Sequence, residues 1–222
     1  MSVGVLVPAA GSGLRLGPGA PKALRLLAGE PVLLHAVRGL RRSADVGPVV
    51  VAAPLAELDL VRALLRDLDV VVVAGGAERQ DSVRAALDAL PADADLVLVH
   101  DAARCLTPVA VVERVVAALR DGAHAVVPVL PVADTVKQVD GDRVVTTVDR
   151  SVLRAVQTPQ GFRREVLERA HGWTGAPLTD DAGLVEAAGV TVTTVAGDEE
   201  AFKVTRPLDL LLAEALLRRG PG

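Results

Sequence analysis

The most informative part of the sequence is Val3-Gly-Val-Leu-Val-Pro-Ala-Ala-Gly-Ser-Gly-Leu-Arg-Leu-Gly-Pro-Gly-Ala-Pro-Lys22, close to its start. Its apolar first part predicts a buried strand, and glycines directly after a strand let the backbone approach phosphate oxygens and direct N–H groups at them. Arg15 and Lys22 add two positive charges to this turn. The stretch therefore predicts a cradle for a triphosphate, and the alternative is a Gly/Pro-rich crossing loop that binds nothing.

Two better-known glycine motifs do not fit this turn. The dinucleotide fingerprint requires a third glycine where Leu16 stands, and it requires a carboxylate at the tip of the next strand. That strand, predicted at Val49–Ala53, instead runs into Pro54. A Walker-type loop requires Gly-Lys followed by Ser or Thr, whereas Lys22 stands between a proline and an alanine. A nicotinamide-dependent oxidoreductase is therefore disfavoured.

Length and composition narrow the class of protein. The 222 residues suit one domain, 1–222, with a core that needs neither disulfides nor metals. The net charge is -4 and the aromatic residues are Phe162, Trp173 and Phe202, so we expect no nucleic-acid partner. We expect no membrane partner either, because polar or breaking residues interrupt every apolar run before the roughly 20 residues that a span requires.

Cysteine and histidine usage gives two further expectations. The single cysteine, Cys105, and the absence of a secretory signal pattern predict a cytoplasmic location. The four histidines are scattered without metal-ligand spacing, so no zinc site is assigned.

Short Val/Leu/Ala runs alternate with segments of helical period, which predicts a mostly parallel sheet with helices on both faces. The predicted fold class is thus α/β and Rossmann-like. Because ligands bind at the carboxyl ends of strands in such sheets, the loops that start at Pro8, Ala74 and Asp101 are expected to face one cleft. Apolar residues from Leu55 to Leu68 recur at steps of three and four and predict one buried helical face. Further strands are predicted at 70–73, 96–99, 125–129 and 190–195, and helices at 31–43, 79–90, 109–120 and 207–218.

A hairpin signal interrupts this alternation between residues 132 and 150. Strand-forming residues flank Asp140-Gly141, a dipeptide typical of tight β-hairpins. A two-stranded hairpin alone is marginal in water, so we expect this projecting β-arm to pack on a second subunit. The alternative is a hairpin folded over its own sheet.

The motifs along the chain resemble a known enzyme family. The opening Ala-Ala-Gly-x-Gly-x-Arg, followed by Pro21-Lys22 and Gly29-Glu-Pro31, is similar to nucleotidyltransferases that join a nucleoside triphosphate to a phosphorylated sugar or polyol. Seven later motifs, in order over nearly the whole chain, resemble the 2-C-methyl-D-erythritol 4-phosphate cytidylyltransferase family. They are Gly75-Gly-Ala-Glu-Arg79-Gln-Asp-Ser82-Val, Val99-His-Asp101-Ala-Ala-Arg104, Asp134-Thr135-Val-Lys137, Val148-Asp-Arg150, Gln157-Thr-Pro-Gln160, Thr179-Asp180-Asp181-Ala and Lys203-Val-Thr-Arg-Pro207.

The resemblance implies magnesium-dependent transfer of CMP from CTP to methylerythritol phosphate, with release of pyrophosphate. Negative charge builds on the α-phosphate and on the leaving pyrophosphate, so positioned Arg and Lys groups accelerate such a reaction. Arg15 and Lys22 match the family's cations for these phosphates. Arg150 and Lys203 match the pair that holds the attacking phosphate. The family pattern places nucleotide contacts at Ala9, Ala10, Gly11, Gly13, Gly76 and Ser82, and substrate contacts at Asp101, Arg104, Thr135 and Thr179.

The family's arm reaches across a homodimer, which implies that each active site is shared by two subunits. Metal ligands are not assigned. A second role open to Asp101 is contact with the hydration shell of a magnesium ion. Loop or helix capping is the alternative role for Asp101 and Thr179. Arg79 and Asp81 are expected to form or cap one helix turn.

Three positions depart from the family pattern. Ala23 stands where a glutamine is usual, Ala77 replaces a frequent Asp, and Cys105 replaces a proline. Two alternatives remain within phosphate chemistry. A ribitol 5-phosphate cytidylyltransferase would use the same cations for another polyol phosphate, and a CTP-binding protein without catalysis is disfavoured by the number of those cations.

Overall fold

The computed structural model describes residues 1–11, 21–172 and 178–219. Within them, strands and helices alternate as the sequence pattern predicts. In chain order the elements are β1 (Val3–Pro8), β2 (Leu26–Leu27), β3 (Glu30–Pro31), α1 (Val32–Arg41), β4 (Val49–Ala53), α2 (Leu58–Leu65), β5 (Val70–Ala74), α3 (Arg79–Asp88), β6 (Leu96–Val99), α4 (Val109–Arg120), β7 (Ala125–Pro131), β8 (Val136–Asp140), β9 (Arg143–Val148), β10 (Arg154–Val156), β11 (Gln160–Arg163), α5 (Arg164–Ala170), α6 (Asp181–Ala187), β12 (Val192–Ala196) and α7 (Pro207–Arg219).

The main sheet has eight strands within the described residues. β1 pairs in parallel with β4 and β6, and β4 pairs in parallel with β5. β11 runs antiparallel between β6 and β7, while β7 also pairs antiparallel with β10 and parallel with β12. The predicted α/β fold class with a mostly parallel sheet is therefore confirmed. The two strands that run antiparallel to their neighbours, β10 and β11, follow the arm in the sequence, where the chain re-enters the sheet.

Two hydrophobic cores cover the two faces of the sheet. Alternate residues of β1 take part in them, with Val5 and Val7 on one face and Leu6 on the other. Helices α1, α2 and α4 close the first core, and α3, α5 and α6 close the second. A strand that is buried on both faces has no polar side, so it is encoded as a continuous apolar run.

The helices begin and end close to their predicted bounds. The prediction for α4 coincides with the structure, and α1 begins one residue after Pro31, whose fixed φ suits a helix start. Helix α3 ends two residues before its predicted end. None of the helices in the described part of the chain is both long and apolar enough to cross a membrane.

The predicted buried face between Leu55 and Leu68 is correct only in part. Val61 and Leu65 are each 1% exposed, but Leu55 is 73% exposed. The segment is not one continuous helix, because a 3-10 turn at Leu55–Glu57 precedes α2. A 3-10 turn has three residues per turn instead of 3.6, which rotates Leu55 out of the buried stripe.

The predicted hairpin is present. β8 and β9 pair antiparallel with each other and form a two-stranded sheet separate from the main one. Gly141 in the turn has a φ of 58°, which glycine adopts without steric cost. Val139, Val144 and Val145 are all more than half exposed. This exposure contradicts the alternative of a hairpin folded over its own sheet, whereas packing on a second subunit stays a prediction.

Candidate active site

A cleft opens at the carboxyl ends of β1, β5 and β6, with a volume of about 460 Å³. Its walls come from the loops after these strands, from the start of α3 and from the segment before α7. The lining residues are Pro8, Ala9, Ala10, Gly11, Lys22, Ala23, Gly76, Ala77, Glu78, Arg79, Ser82, Asp101, Ala102, Ala103 and Lys203. The prediction that the loops starting at Pro8, Ala74 and Asp101 face one cleft is confirmed.

Two glycines after β5 let the first two loops approach each other closely. The N–H groups of Ala9 and Gly75 both donate to carbonyls of β4, at 2.7 and 2.8 Å, so both loops leave the sheet side by side. A Cβ on Gly75 would lie 2.6 Å from the Cβ of Ala10, and one on Gly76 would lie 2.2 Å from the Cβ of Asp81. A side chain at either position would force its neighbours to move, so at these two positions the wall consists of main-chain groups.

Helix α3 begins at the same wall with a capping box. The Glu78 side chain accepts a hydrogen bond from the helix backbone, and Asp81 accepts one from the Glu78 N–H at 3.1 Å. The Ser82 hydroxyl accepts from the Gly76 N–H and donates to the Glu78 carbonyl, both at 3.2 Å. Asp81 thus caps the turn as predicted. Ser82 fixes the glycine loop, and its predicted contact with the nucleotide stays a prediction.

Asp101 joins two cations in the cleft. Its Oδ2 accepts a hydrogen bond from Lys203 Nζ at 2.5 Å, and its Oδ1 lies 3.5 Å from Arg79 Nε. Burial by itself would raise the pKa of this carboxyl group. The charges of Arg79 and Lys203 outweigh burial and hold the pKa of Asp101 well below its ordinary value. Asp101 is therefore an ionised acceptor that fixes the Lys203 side chain.

Arg79 extends this network below the cleft. Its Nη1 donates to Asp181 Oδ2 at 2.6 Å, and Asp181 Oδ1 lies 3.0 Å from His171 Nε2. Asp181 is fully buried, yet its bonds to His171 and Arg79 outweigh burial and lower its pKa. Arg79 is the first residue of α3, so it forms the helix turn as expected. Two carboxylates on other elements draw its guanidinium away from its own helix.

The segment Gln157-Thr-Pro-Gln160 ties three loops to the cleft. The Gln157 amide exchanges two hydrogen bonds, of 2.7 and 3.0 Å, with the backbone between β12 and α7. The Thr158 hydroxyl accepts from the Asp101 N–H at 3.0 Å, and Gln160 donates to the Asp180 carboxylate at 2.7 Å. The sequence marks this segment only through the family resemblance, because paired glutamines carry no periodic or charge signal.

His100 and Cys105 flank the Asp101 loop and face the interior. His100 is 1% exposed, and its Nδ1 lies 3.2 Å from the Thr158 hydroxyl. Burial lowers the pKa of His100 to about 4, so the ring is neutral at neutral pH. Cys105 packs against Leu27 and Val204, and burial raises the pKa of its thiol to about 12. Neither group has the properties of a nucleophile, in agreement with the sequence interpretation.

Most of the predicted site residues come together in the cleft. Those that line it are Ala9, Ala10, Gly11, Lys22, Gly76, Ser82, Asp101 and Lys203. Gly13 and Arg15 lie outside the described residues. Arg104 donates to the carbonyls of Ala201 at 2.7 Å and Val156 at 3.1 Å, so in this structure it braces the surrounding backbone. Its predicted contact with the substrate stays a prediction.

Three further predicted residues are exposed outside the cleft lining. Thr135 and Arg150 lie at the base of the arm, where Arg150 Nη1 donates to the carbonyl of Ala133. Thr179 lies just before α6, next to the Asp180 cap. That Thr135 and Arg150 serve the site of a second subunit stays a prediction.

Carboxylates in the cleft offer little to a metal ion on their own. In residues 1–11, 21–172 and 178–219, no three His, Cys, Asp or Glu side chains lie close enough together to share a metal. Asp101 and Glu78 are the carboxylates in the cleft lining. Both oxygens of Asp101 face cations, and the Glu78 side chain caps α3.

Comparisons with known proteins point to one enzyme family. The family model for 2-C-methyl-D-erythritol 4-phosphate cytidylyltransferase matches residues 3–219. A protein of that name from Frankia casuarinae is 62% identical over 218 residues, which cover 98% of this chain and 82% of that protein. One from Saccharopolyspora erythraea is 59% identical over 224 residues, which cover 98% of this chain and 100% of that protein.

Solved structures show the same fold. The crystal structure of 2-C-methyl-D-erythritol 4-phosphate cytidylyltransferase from Thermus thermophilus is 40% identical, with a TM-score of 0.83 over 98% of this chain and 100% of that one. The structure of 4-diphosphocytidyl-2C-methyl-D-erythritol synthase from Anaerococcus prevotii is 27% identical, with a TM-score of 0.86 over 98% of this chain and 99% of that one. The chain belongs to the 2-C-methyl-D-erythritol 4-phosphate cytidylyltransferase family.

Proposed function

We propose that this chain transfers CMP from CTP to 2-C-methyl-D-erythritol 4-phosphate, giving 4-diphosphocytidyl-2-C-methyl-D-erythritol and pyrophosphate in the non-mevalonate route to isoprenoid precursors. The observation that supports this proposal most is the cleft, which combines a main-chain wall with Lys22 and Lys203. It lies at the strand ends where ligands bind in sheets of this kind. Membership of the family supplies the identity of the two substrates.

The nucleotide is assigned to the loops after β1 and β5. We assign main-chain groups of Ala9, Ala10, Gly11 and Gly76 to the edge of the base, because Gly75 and Gly76 place no side chain between the two loops. Cytosine presents an amino donor where uracil presents a carbonyl acceptor, so carbonyl groups in this wall would select CTP over UTP. The Ser82 oxygen has a second lone pair for the same purpose.

The reaction joins two anions and therefore needs cations at two places. An oxygen of the acceptor phosphate bonds to the α-phosphorus of CTP, the bond from that phosphorus to the bridging oxygen breaks, and pyrophosphate leaves. Lys22, with Arg15, stabilises the charge on the α-phosphate and the leaving group. Lys203, with Arg150, holds the attacking phosphate. The second pKa of a phosphate ester is about 6, so the acceptor is already ionised at neutral pH and needs no general base.

Magnesium fits this site as part of the nucleotide substrate. Mg²⁺ usually takes one or two carboxylates, phosphate oxygens and waters. Because both oxygens of Asp101 face cations, we assign the ion mainly to the phosphates of CTP, with Asp101 at most in contact with its hydration shell. Bound there, the ion would neutralise part of the triphosphate charge.

A homodimer with shared active sites is the assembly that best suits the arm, 132–150. Its exposed valines, Val139, Val144 and Val145, would be covered by a partner. Thr135 and Arg150 at the arm's base would then enter the partner's cleft, beside its Lys203. A cytoplasmic location is proposed as well, supported by the single buried cysteine, Cys105, in a chain that uses no disulfide.

The transfer reaction is tested by following pyrophosphate and the cytidine-containing product with purified protein, Mg²⁺, CTP and methylerythritol 4-phosphate. Lys22→Ala is expected to lower kcat by roughly 10²-fold to 10³-fold, the scale for loss of one preorganised transition-state donor. Arg62→Ala is a matched control, because Arg62 is an exposed cation of α2. Formation of both products by the wild type, and their loss in Lys22→Ala alone, would support the proposal. A wild-type protein that forms neither product would contradict it.

A further inference from the structure

A chain of ionic and polar contacts runs from the cleft into the core. Its members, in order, are Lys203, Asp101, Arg79, Asp181 and His171, joined by contacts of 2.5, 3.5, 2.6 and 3.0 Å. We refer to these five residues as the buried ion-pair chain. The side chains of Lys203 and Arg79 are partly exposed, at 37% and 28%, whereas those of Asp181 and His171 are buried, at 0% and 4%. In the described part of the protein, Asp181 and His171 are not among the residues that line the cleft.

The guanidinium of Arg79 is the central link. It uses Nη1 for Asp181 and Nε for Asp101, so one rigid planar group bridges two carboxylates. Asp101 in turn uses one oxygen for Arg79 and the other for Lys203. The direction of the Asp101 carboxylate, and hence of the Lys203 ammonium, therefore depends on where Arg79 is held.

Asp181 and His171 determine where Arg79 is held. Both oxygens of the buried Asp181 carboxylate are occupied, one by His171 and one by Arg79. A buried charge that loses one partner is strongly disfavoured, so each contact constrains the next. His171 is itself fixed at the end of α5, where its carbonyl accepts from the guanidinium of Arg84.

We propose that His171, Asp181 and Arg79 are positioning residues, which hold Asp101 and Lys203 in the geometry that receives the acceptor phosphate. His171 and Asp181 act through Arg79 and touch neither substrate. This inference rests on the proposed function only for the choice of the substrate whose KM changes.

The kinetic test uses Asp181→Asn and two variants at position 171. His171→Gln keeps a nitrogen donor near the place of Nε2, whereas His171→Leu removes it. Asp181→Asn and His171→Leu are expected to lower kcat/KM for methylerythritol phosphate at least about 10-fold, because a misplacement of about 1 Å can cost as much as 10²-fold. The KM for CTP should stay within about 2-fold, and His171→Gln should recover most of the activity.

A second measurement reports the position of Lys203 without any turnover. The chain has three lysines, at 22, 137 and 203, so amine labelling followed by peptide mass spectrometry assigns each one. Lys137, exposed on the arm, is the internal reference. In folded Asp181→Asn and His171→Leu, the labelling rate of Lys203 relative to Lys137 should rise toward that of Asp101→Asn, which removes the partner charge outright. Circular dichroism verifies that each variant is folded.

Ser43→Ala controls for the loss of a buried polar group elsewhere, because Ser43 is 3% exposed and lies after α1, away from the cleft lining. It should leave both readouts unchanged. An unchanged kcat/KM for methylerythritol phosphate together with unchanged Lys203 labelling, in both Asp181→Asn and His171→Leu, would overturn the inference. If the wild type does not use methylerythritol phosphate, the proposed function fails while the labelling result still decides the positioning role.

Discussion

The buried His100 ring makes the free energy of unfolding of this protein depend on pH. The ring is buried beneath the Asp101 loop, and burial lowers its pKa from 6.5 to about 4. In the unfolded chain the same ring takes up a proton below its ordinary pKa. Between the two values the unfolded state binds more protons than the folded state, so the free energy of unfolding decreases as the pH falls. The stability that the neutral His100 ring contributes is fully present above the pKa of the unfolded chain. It is lost as the pH falls toward the pKa of the folded protein.

The magnitude follows from the width of this interval. A difference of about 2.5 pH units, at 1.36 kcal/mol for each unit, corresponds to about 3 kcal/mol between neutral pH and pH 4. Many domains have a total stability of only 5 to 15 kcal/mol, so a loss of about 3 kcal/mol is readily measured.

Urea unfolding of the wild type and of His100→Asn, followed by circular dichroism at several pH values, measures this contribution. Asn places a polar group near the position of Nδ1 and cannot take up a proton in this range. The difference in unfolding free energy between the two proteins should therefore shift by about 3 kcal/mol, against the wild type, from about pH 7 to about pH 4. His124→Asn is the control, since His124 is exposed. Parallel pH profiles for wild type and His100→Asn would refute the reasoning.

Three more predictions follow from the fold and the proposed assembly. The Cys105 thiol should not react with a thiol reagent in the native protein but should react fully in urea, because burial raises its pKa to about 12. Gly76→Ala should destabilise the protein by about 1 to 3 kcal/mol in urea unfolding, because the new Cβ would lie 2.2 Å from the Cβ of Asp81. Mixing inactive Lys22→Ala with inactive Arg150→Ala should restore part of the activity through hybrid dimers, because one of the two shared sites would then carry both cations.

Rapid labelling of native Cys105 would show that its pocket opens. For the glycine, Gly39→Ala is the matched change, since its Cβ would meet atoms only at 3.8 and 3.9 Å. It should raise stability by about 0.5 to 1 kcal/mol as a helical glycine replaced by alanine. Equal effects at positions 76 and 39 would contradict the packing argument. Absence of rescue in the mixture, with subunit exchange verified, would indicate that each chain holds a complete site.

Local pattern was sufficient to predict the parallel part of the fold. β1, β4 and β6 are buried on both faces, so each is a continuous apolar run that can be recognised without its neighbours. The cleft followed from a general property of such sheets, because the loops after Pro8 and Asp101 leave neighbouring parallel strands at the same edge. The helical period wrongly predicted a buried side chain at Leu55, since a 3-10 turn at that point changes the direction of the side chain.

The contacts that organise the site were beyond local pattern. Arg79 and Asp181 are 102 positions apart, and so are Asp101 and Lys203. No periodicity or charge pattern relates residues at such a separation, and only the folded sheet brings them together. Strand β11 was missed for a related reason, because its sequence Gln-Gly-Phe-Arg163 neither alternates nor forms an apolar run.

The proposed transfer reaction is best tested by measuring pyrophosphate release with Mg²⁺ and CTP. Methylerythritol 4-phosphate is compared with ribitol 5-phosphate as acceptor, and each measurement is repeated with ATP and UTP. We expect turnover with CTP and methylerythritol 4-phosphate and little with the other combinations. Turnover with ribitol 5-phosphate in preference to methylerythritol 4-phosphate, or no turnover with either acceptor, would contradict the proposal.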